Sequence, residues 1–455
     1  MKYPLSEVPL SIAHGDGSRR KTNKSALFDV VLNATYSVTT NAVKEGIEVY
    51  ILDLAAQIRS TINIPKTFEE LALRIFKEIS QRYDIVYVAC DTYKSSSIKS
   101  PERRLRGESN AFLIRSEKVQ IPPNFQDFLS NGSNKERLFS MIEDTWIKNR
   151  AMLNEREVYF AKDCSCVKIT RDGCFTIDEL RTDHEEADTK VAYLISHALR
   201  TYSNIREVCV RSCSGDIDIP VILIGIFGGC ENAFITLDNG TGKYRKKIEI
   251  TRCTLSRKQQ KALVGFHAFT GNDYLSSFLR KSKKIWGSIV ENDEELLDFF
   301  VSLGEGQVND ALDLAAEKFV CRIYGEKKIE SVINLRSKLF WNKLKKYEKF
   351  SDLSLLPPCS STLTKHSTRA NYLCQLWRKA DFPMLNMDPF ANNGWFSDGT
   401  IHWIDNPYPE DVKILFLKAE EKDDNRNSVD TISVGVYDID FENIDDDLTD
   451  LEDDN

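Results

Sequence analysis

Short apolar runs alternate with amphipathic stretches over the first half of the chain. Residues 66–82 and 184–200 place apolar side chains three and four positions apart, which predicts helices. Four apolar runs have the length of buried strands, and they lie at 47–52 (IEVYIL), 84–90 (DIVYVAC), 207–213 and 221–227 (VILIGIF). Strands that alternate with helices predict the α/β class, with a mainly parallel twisted sheet flanked by helices.

The rest of the chain is less regular. Residues 231–252 are typical of two strands joined at Asn239-Gly240, which is a hairpin signal, and a helical half of the chain follows them. The predicted organisation is an N-terminal extension (1–46), a core (47–255) that carries an irregular insertion (about 92–183), a helical region (256–358), a small C-terminal module or wrapping segment (359–420) and an acidic disordered tail (421–455).

Charge divides the chain into two unequal parts. The net charge is −8, but residues 421–455 contain 14 acidic and 2 basic side chains, so the rest of the chain carries 55 acidic and 59 basic ones. A mildly basic body can bind phosphate backbones. The acidic tail either competes for that surface or is a solvated terminus.

Composition argues against several classes of protein. No apolar run reaches the roughly 18 residues of a membrane-spanning helix. The first residues lack the basic end and apolar block of a secretory signal, and the 11 cysteines are an odd number scattered along the chain. We therefore expect an intracellular protein with reduced thiols and no membrane partner. The basic runs SRRKTNK and RKSKK are compatible with nuclear import.

Acidic residues fall at the ends of the predicted strands, and this is the main chemical signal of the sequence. Ligands of an open α/β sheet bind at the carboxyl ends of its strands. Carboxylates gathered there would repel each other, and hard divalent cations such as Mg²⁺ relieve that repulsion. Two such ions can together promote phosphodiester hydrolysis. The candidate metal ligands and catalytic residues are Asp53, Asp91, Glu186, Asp188, Asp216, Asp218 and Asp273.

Each of these acids also has a structural interpretation. Asp53 and Asp91 could cap the helices that follow their strands. Asp183 and Glu186 have the spacing of a capping box, with Asp183 as the cap. The Asp-Ile-Asp at 216–218 could be a turn, and the spacing pattern alone does not decide between the two interpretations.

Three short motifs occur in a fixed order, Glu-Glu-Ala-Asp at 185–188, Asp-Ile-Asp at 216–218 and Gly-Asn-Asp-Tyr at 271–274. With the strand-end Asp53 and Asp91, they resemble the flap endonuclease (XPG-like) superfamily of PIN-fold nucleases over roughly residues 45–290. The resemblance implies that the seven acids hold metal ions. It also implies that Asp91 leads into a basic arch over the active site, carrying Lys94, Lys99, Arg103 and Arg104.

A closer resemblance covers nearly the whole chain. The segments HEEADTK, GDID, GFHAFTGND and RANY are similar to those of a large multi-copy set of animal proteins. That resemblance implies the fold rather than a reaction.

The segment after Asp273 departs from the superfamily pattern. A glycine-containing helix–turn–helix motif is expected there, but the sequence has a run of basic residues. The run could still contact phosphates or could be a solvated helix end. Its candidate phosphate-binding residues are Arg280, Lys281 and Lys283.

Other candidates carry weaker signals. Cys164, Cys166 and Cys174 lack the paired spacing of a zinc site. His197 and His267 lie in helical patterns and are expected to pack or cap. The tryptophans Trp377, Trp395 and Trp403 could stack on unpaired bases, but the favoured interpretation is that they are packed anchors.

The sequence therefore predicts an enzyme, a structure-specific nuclease that uses two Mg²⁺ or Mn²⁺ ions. Lys99, Arg103 and Arg104 would orient the scissile phosphate. The expected partner is nucleic acid, with DNA favoured over RNA, recognised by backbone shape because no base-reading motif is visible. The alternative is a catalytically inactive PIN-fold module that binds nucleic acid or protein, and a phosphatase acting on small esters is a weaker third reading.

Overall fold

The computed structural model describes most of the chain. The described ranges are 1–38, 45–94, 97–99, 101, 111–213, 216–240, 245–347 and 352–404. The predicted acidic tail, residues 405–420 of the predicted C-terminal module, Arg103 and Arg104 all lie outside them.

Nine strands of the described residues form one mixed sheet in the order β1-β9-β8-β7-β2-β3-β4-β5-β6. The five central strands, from β8 to β4, are mutually parallel, whereas the pairs at both edges are antiparallel. The strands are β1 (Thr35–Ser37), β2 (Ile47–Asp53), β3 (Ile85–Ala89), β4 (Glu157–Lys162), β5 (Ser165–Ile169), β6 (Cys174–Thr176), β7 (Ile205–Ser212), β8 (Ile235–Asn239) and β9 (Lys246–Cys253).

Helices cover both faces of the sheet and are the main regular elements of the described residues after 256. Thr67 with Glu70 and Ser256 with Gln259 form capping boxes, which fix the starts of two of them. The helices are α1 (Phe28–Ala34), α2 (Leu54–Arg59), α3 (Phe68–Ser80), α4 (Phe125–Phe128), α5 (Gly132–Lys148), α6 (Ala187–Thr201), α7 (Asp218–Phe227), α8 (Arg257–Phe269), α9 (Glu294–Ser302), α10 (Asp310–Ile323), α11 (Val332–Tyr347) and α12 (Ser360–Arg378). None of the helices in the described ranges is both long and apolar enough to cross a membrane.

Two hydrophobic layers hold the helices against the sheet. Because successive strand residues point to opposite faces, Leu52 packs in the layer beneath α3 and α5, whereas its neighbour Ile51 packs in the layer shared with α6, α7 and α8. Trp146 of α5 is fully buried in the first layer, and its indole N–H donates to the Ala72 carbonyl at 2.8 Å. The predicted α/β class and the parallel centre of the sheet are confirmed.

The order of the parallel strands creates a crevice at one edge of the sheet. The chain proceeds from β2 to β3 and β4 on one side, and then returns to place β7 and β8 on the other side of β2. Such a reversal separates the connections that leave the carboxyl ends of β2 and β7, and ligands of open α/β sheets bind at this point. Asp53 ends β2, and Asp216 follows β7.

The run Val221–Phe227, which we predicted as a strand, belongs to helix α7. The helix is apolar on all sides because it is buried between α6, α8 and β9. Apolar runs of this length do not distinguish a strand from a buried helix, since periodicity is absent in both.

Three of the predicted regions are not separate from the core. The predicted insertion at 92–183 contains β4, β5 and β6, and β4 pairs in parallel with β3, so its second half belongs to the sheet. Ile12 and Leu27 of the predicted N-terminal extension are fully buried in the main core. Trp377 and Trp395 of the predicted C-terminal module pack in the same core, as expected for anchors.

Candidate metal centre

Three aspartates converge at the crevice. Asp188 lies in the first turn of α6, Asp216 follows β7, and Asp218 is the first residue of α7. One carboxylate oxygen from each lies within 4.8 Å of the others, and no other group of three potential ligands in the described ranges converges in this way. Neighbouring oxygens bound to one Mg²⁺ at about 2.1 Å lie about 3 Å apart, so the three carboxylates would have to move closer together to bind one ion. We call these residues the triad.

The carboxylates of the triad repel one another. Burial and the nearby Asp218 raise the pKa of Asp216 to about 7. Burial, together with Asp216 and Asp218, also raises the pKa of Asp188 well above its ordinary value. A cation at this position would remove the repulsion, and an all-carboxylate donor set suits a hard ion such as Mg²⁺ or Mn²⁺.

Asp218 is held by two partners that the sequence did not indicate. The Nε2 atom of His267 lies 2.6 Å from its Oδ1 atom, and the Nζ atom of Lys24 lies 3.2 Å from its Oδ2 atom. Burial favours the neutral form of Asp218, but these two partners outweigh it and lower the pKa of the carboxyl. Burial lowers the pKa of His267 to about 4, so its ring is neutral and Nε2 donates its proton to Asp218.

Lys24 connects the triad to Asp273. Its Nζ atom lies 2.9 Å from the Oδ2 atom of Asp273, whose side chain is 44% exposed. Burial disfavours the charged amine, but Asp218 and Asp273 outweigh it and raise the pKa of Lys24. Lys24 belongs to the region that the sequence predicted as an N-terminal extension. Its contacts with Asp218 and Asp273 join residues about 200 positions or more apart, so no local sequence pattern indicates them.

Asp53 and Asp91 are helix caps as well as members of the acidic cluster. The Oδ1 atom of Asp53 accepts the backbone N–H groups of Ala55 at 2.8 Å and Ala56 at 3.2 Å. The Oδ1 atom of Asp91 accepts the N–H of Ala187 at 2.9 Å and so caps α6 rather than the helix next in sequence. Burial and the proximity of Asp91 raise the pKa of Asp53 to about 7.

Glu186 faces the cluster and does not take part in a capping box. Helix α6 begins at Ala187, which places Glu186 at the N-cap position without a side-chain cap. Its carboxylate lies 2.5 Å from the Nζ atom of Lys99. The predicted capping box is wrong, because Asp183 instead accepts the N–H groups of Leu385 at 2.8 Å and Asn386 at 3.3 Å.

Of the predicted arch cations within the described ranges, Lys99 reaches the cluster. Its Nζ atom lies 4.7 Å from the centre of the Tyr274 ring, so the ammonium contacts both an aromatic face and Glu186. Burial alone would lower the pKa of Lys99, but Glu186 and the neighbouring groups raise it. Lys94 instead donates to the Asp183 carbonyl at 3.3 Å.

The predicted phosphate-binding run after Asp273 is only partly on the surface. Lys283 is buried, and its Nζ atom donates to the Thr270 hydroxyl at 2.7 Å and the His267 carbonyl at 3.2 Å. Lys283 therefore cannot meet a phosphate, which corrects the prediction. Lys281 lies over the Tyr324 ring, with its Nζ atom 4.4 Å from the ring centre, and Arg280 is exposed.

The remaining weak candidates are the cysteines and His197. All 11 cysteines are free thiols, and Cys164, Cys166 and Cys174 form no metal cluster within the described ranges. The Nδ1 atom of His197 lies 2.8 Å from the Tyr87 hydroxyl, so this histidine is packed in the core.

A cleft of about 1020 Å³ has Tyr274, the residue after Asp273, in one side of its wall and Trp403 in another. The N-terminal segment contributes the basic Arg19 and Lys21 and the acidic Asp16 to the same wall. Arg19 also donates to the Asn272 carbonyl at 3.1 Å. The triad does not line this cleft, which is connected to the cluster through Tyr274.

Comparison with known proteins does not assign the chain to a protein family. No protein-family model matches it, and no curated protein matches it either. The function is therefore inferred from the geometry of the triad and from the acidic motifs at 185–188, 216–218 and 271–274.

Proposed function

We propose that the protein is a metal-dependent nuclease of the flap endonuclease type, which hydrolyses phosphodiester bonds in nucleic acid. The observation that carries the proposal is the convergence of Asp188, Asp216 and Asp218, each of which offers a carboxylate oxygen within 4.8 Å of the others. The order of the acidic motifs, which resembles that of the PIN-fold nucleases, supports the same reading.

The triad would hold Mg²⁺ or Mn²⁺. A bound divalent ion supplies activation of water and neutralisation of phosphoryl charge. One oxygen of Asp53 and one of Asp91 accept backbone N–H groups. These hydrogen bonds would hold the starts of α2 and α6 in place around a bound ion. Lys99, 20% exposed and next to Tyr274, would orient the scissile phosphate at the mouth of the centre.

The cleft suits a nucleic acid strand. Arg19 and Lys21 in its wall would contact backbone phosphates, while Tyr274 and Trp403 are buried residues that support the wall. No element in the described ranges resembles a base-reading helix motif, so selection would come from strand shape. The flap-type resemblance favours DNA over RNA.

A second candidate function is that of a catalytically inactive module that binds nucleic acid or protein. The ion pairs of Lys24 and Lys99 favour it, because both lysines neutralise carboxylates that a metal would otherwise need. The two candidates differ in whether the triad still binds a divalent ion.

The test is cleavage of a fluorescent flapped duplex in Mn²⁺ by the purified protein and its variants. Asp216→Asn and Asp188→Asn remove triad charges, and Asp144→Asn, on the exposed side of α5, is the matched control. We expect cleavage by the wild type and by the control, and none by the triad variants. Binding without cleavage across flaps, single strands, hairpins and RNA would establish the inactive module instead.

A further inference from the structure

We propose that Lys24 supplies the second positive charge of the metal centre, so that the centre takes one divalent ion at the triad rather than two. The inference rests on the proposed function, which requires an ion at the triad. It deepens that function by naming what occupies the space between Asp218 and Asp273.

The geometry places an ammonium where a bridging cation would lie. The Nζ atom of Lys24 is 3.2 Å from Asp218 Oδ2 and 2.9 Å from Asp273 Oδ2, so two carboxylates from separate elements share it. The other oxygen of Asp218 is taken by His267 at 2.6 Å. Each oxygen of Asp218 therefore has one partner, and its remaining lone pairs are what it offers to an ion at the triad.

The backbone around Lys24 is held in place by its neighbours. Residues Lys24–Leu27 form a short 3₁₀ helix, and the Asn23 side chain caps it by accepting the N–H of Ser25 at 3.1 Å. Leu27 is fully buried in the main core. The side chain of Lys24 itself is only 20% exposed, and its ammonium contacts both carboxylates from this position.

A second divalent ion would have to expel this ammonium. Two cations that share the same pair of carboxylates would repel each other strongly, because screening is weak in a partly buried site. Asp273 alone is too exposed to offset the repulsion, with nearly half of its side chain in solvent. The arrangement favours one tightly bound ion beside a fixed ammonium.

Lys24 would thus do electrostatically what a second ion does in two-metal centres. A fixed ammonium next to the triad can stabilise negative charge that develops on a departing oxygen. It differs from a metal because it needs no loading from solution.

Counting bound Mn²⁺ tests the inference directly. We would titrate Mn²⁺ into the full-length protein and measure the free ion by electron paramagnetic resonance, for the wild type, Lys24→Met, Lys24→Arg and Lys77→Met. Lys77 is exposed on α3, so Lys77→Met is the control for removing one lysine charge away from the cluster. We expect one ion per chain in the wild type, Lys24→Arg and Lys77→Met, and two in Lys24→Met, the second at least tenfold weaker.

Several results would overturn the inference. Two ions in the wild type would show that Lys24 does not exclude the second one, and this count holds even if Lys24→Met fails to fold. One ion in a folded Lys24→Met up to millimolar Mn²⁺ would show that the lysine occupies no cation position. Absence of any binding in the wild type would remove the proposed function as well, which separates the two failures.

Discussion

The two halves of the acidic cluster use the same residue types differently. In one half, which we call the cap half, Asp53 and Asp91 bind backbone N–H groups at the starts of helices, and Glu186 is paired with Lys99. In the triad, one oxygen of each carboxylate faces the others. The cap half therefore fixes the positions of helices, whereas the triad brings three carboxylates together. The triad oxygens also have partners, because Asp216 Oδ1 accepts the N–H of Asp218 at 3.1 Å and the two oxygens of Asp218 contact His267 and Lys24. Position at a strand end brings an acid to the crevice, but its hydrogen bonds decide its role.

The strongest test of this division compares one residue from each half. Asp216→Asn removes a triad charge and is expected to lower Mn²⁺ affinity and cleavage by on the order of 100-fold or more, since even indirect partners of metal ligands are worth about 10–100-fold. Asp53→Asn keeps a capping side chain and is expected to cost about tenfold or less. Isothermal titration with Mn²⁺ and flap cleavage measure both effects. Equal losses would contradict the division.

The pH dependence of stability gives the next largest effect. Asp53 and Asp216 have pKa values of about 7 in the folded protein, above the roughly 3.9 of an unfolded aspartate. A pKa raised on folding contributes stability that is complete at low pH and is lost as pH rises through 7. The buried histidines, such as His267 with a lowered pKa, contribute stability in the opposite direction, so the effect is read against Asp216→Asn, which shares them. Relative to that variant, the metal-free wild type should lose more than about 1 kcal/mol of stability between pH 5 and pH 8, since each pKa unit corresponds to about 1.4 kcal/mol.

Thermal melts in chelator at several pH values measure this loss. Mn²⁺ should restore stability at pH 8 more than at pH 5.5, because protons compete with the ion at low pH. Asp216→Asn should lose less stability than the wild type as pH rises, whereas Asp144→Asn should match the wild type. The same pH dependence in the wild type and Asp216→Asn would contradict the prediction.

The capping role of the cap half has a smaller expected effect. Asp53→Ala removes both N–H contacts at the start of α2 and should lower the free energy of unfolding by about 1 kcal/mol relative to Asp53→Asn, which can still cap. Urea denaturation of the two variants in chelator measures the difference. Equal stability would mean that Asp53 contributes charge to the cluster but no cap.

The last prediction distinguishes Lys99 from Lys24 and has the smallest expected effect on metal binding. Lys99 is paired with Glu186 in the cap half, so Lys99→Met should lower cleavage by about tenfold while the number of bound Mn²⁺ ions stays the same. Electron paramagnetic resonance counts the ions, and initial rates on the flapped duplex report cleavage. A change in the ion count would show that Lys99, and not only Lys24, holds a cation position.

The sequence located much of the acidic cluster, because strand ends are visible in the apolar pattern. Asp53, Asp91 and Asp216 lie where short apolar runs stop, and parallel strands carry such residues to one edge of a sheet. The capping box at Asp183 failed for a different reason. Its partners are backbone groups 200 residues later in the chain, which no local spacing can reveal.

Long-range contact also explains the functional residues that the sequence missed. Lys24 lies in a polar region without periodicity, and its partners Asp218 and Asp273 come from distant elements. His267 had a detectable signal, because it lies six residues before Asp273 in the segment GFHAFTGND. Its helical setting indicated packing, and it does pack against Trp377 while also binding Asp218. Lys283 shows the opposite error. The sequence predicted that it binds phosphate as part of a basic run, but its side chain is buried.

The contact between Asp183 and the segment at 385–386 has a consequence for protein synthesis. His184 also lies 2.9 Å from the Phe382 carbonyl, so the approach to α6 is held by residues that the ribosome adds about 200 positions later. Chains are made from the N-terminus, so Lys24 and Asp53 leave the exit tunnel long before this segment exists. A growing chain therefore carries the acids without the support that orders them. The acidic cluster therefore gains this support only after residues 382–386 have been synthesised.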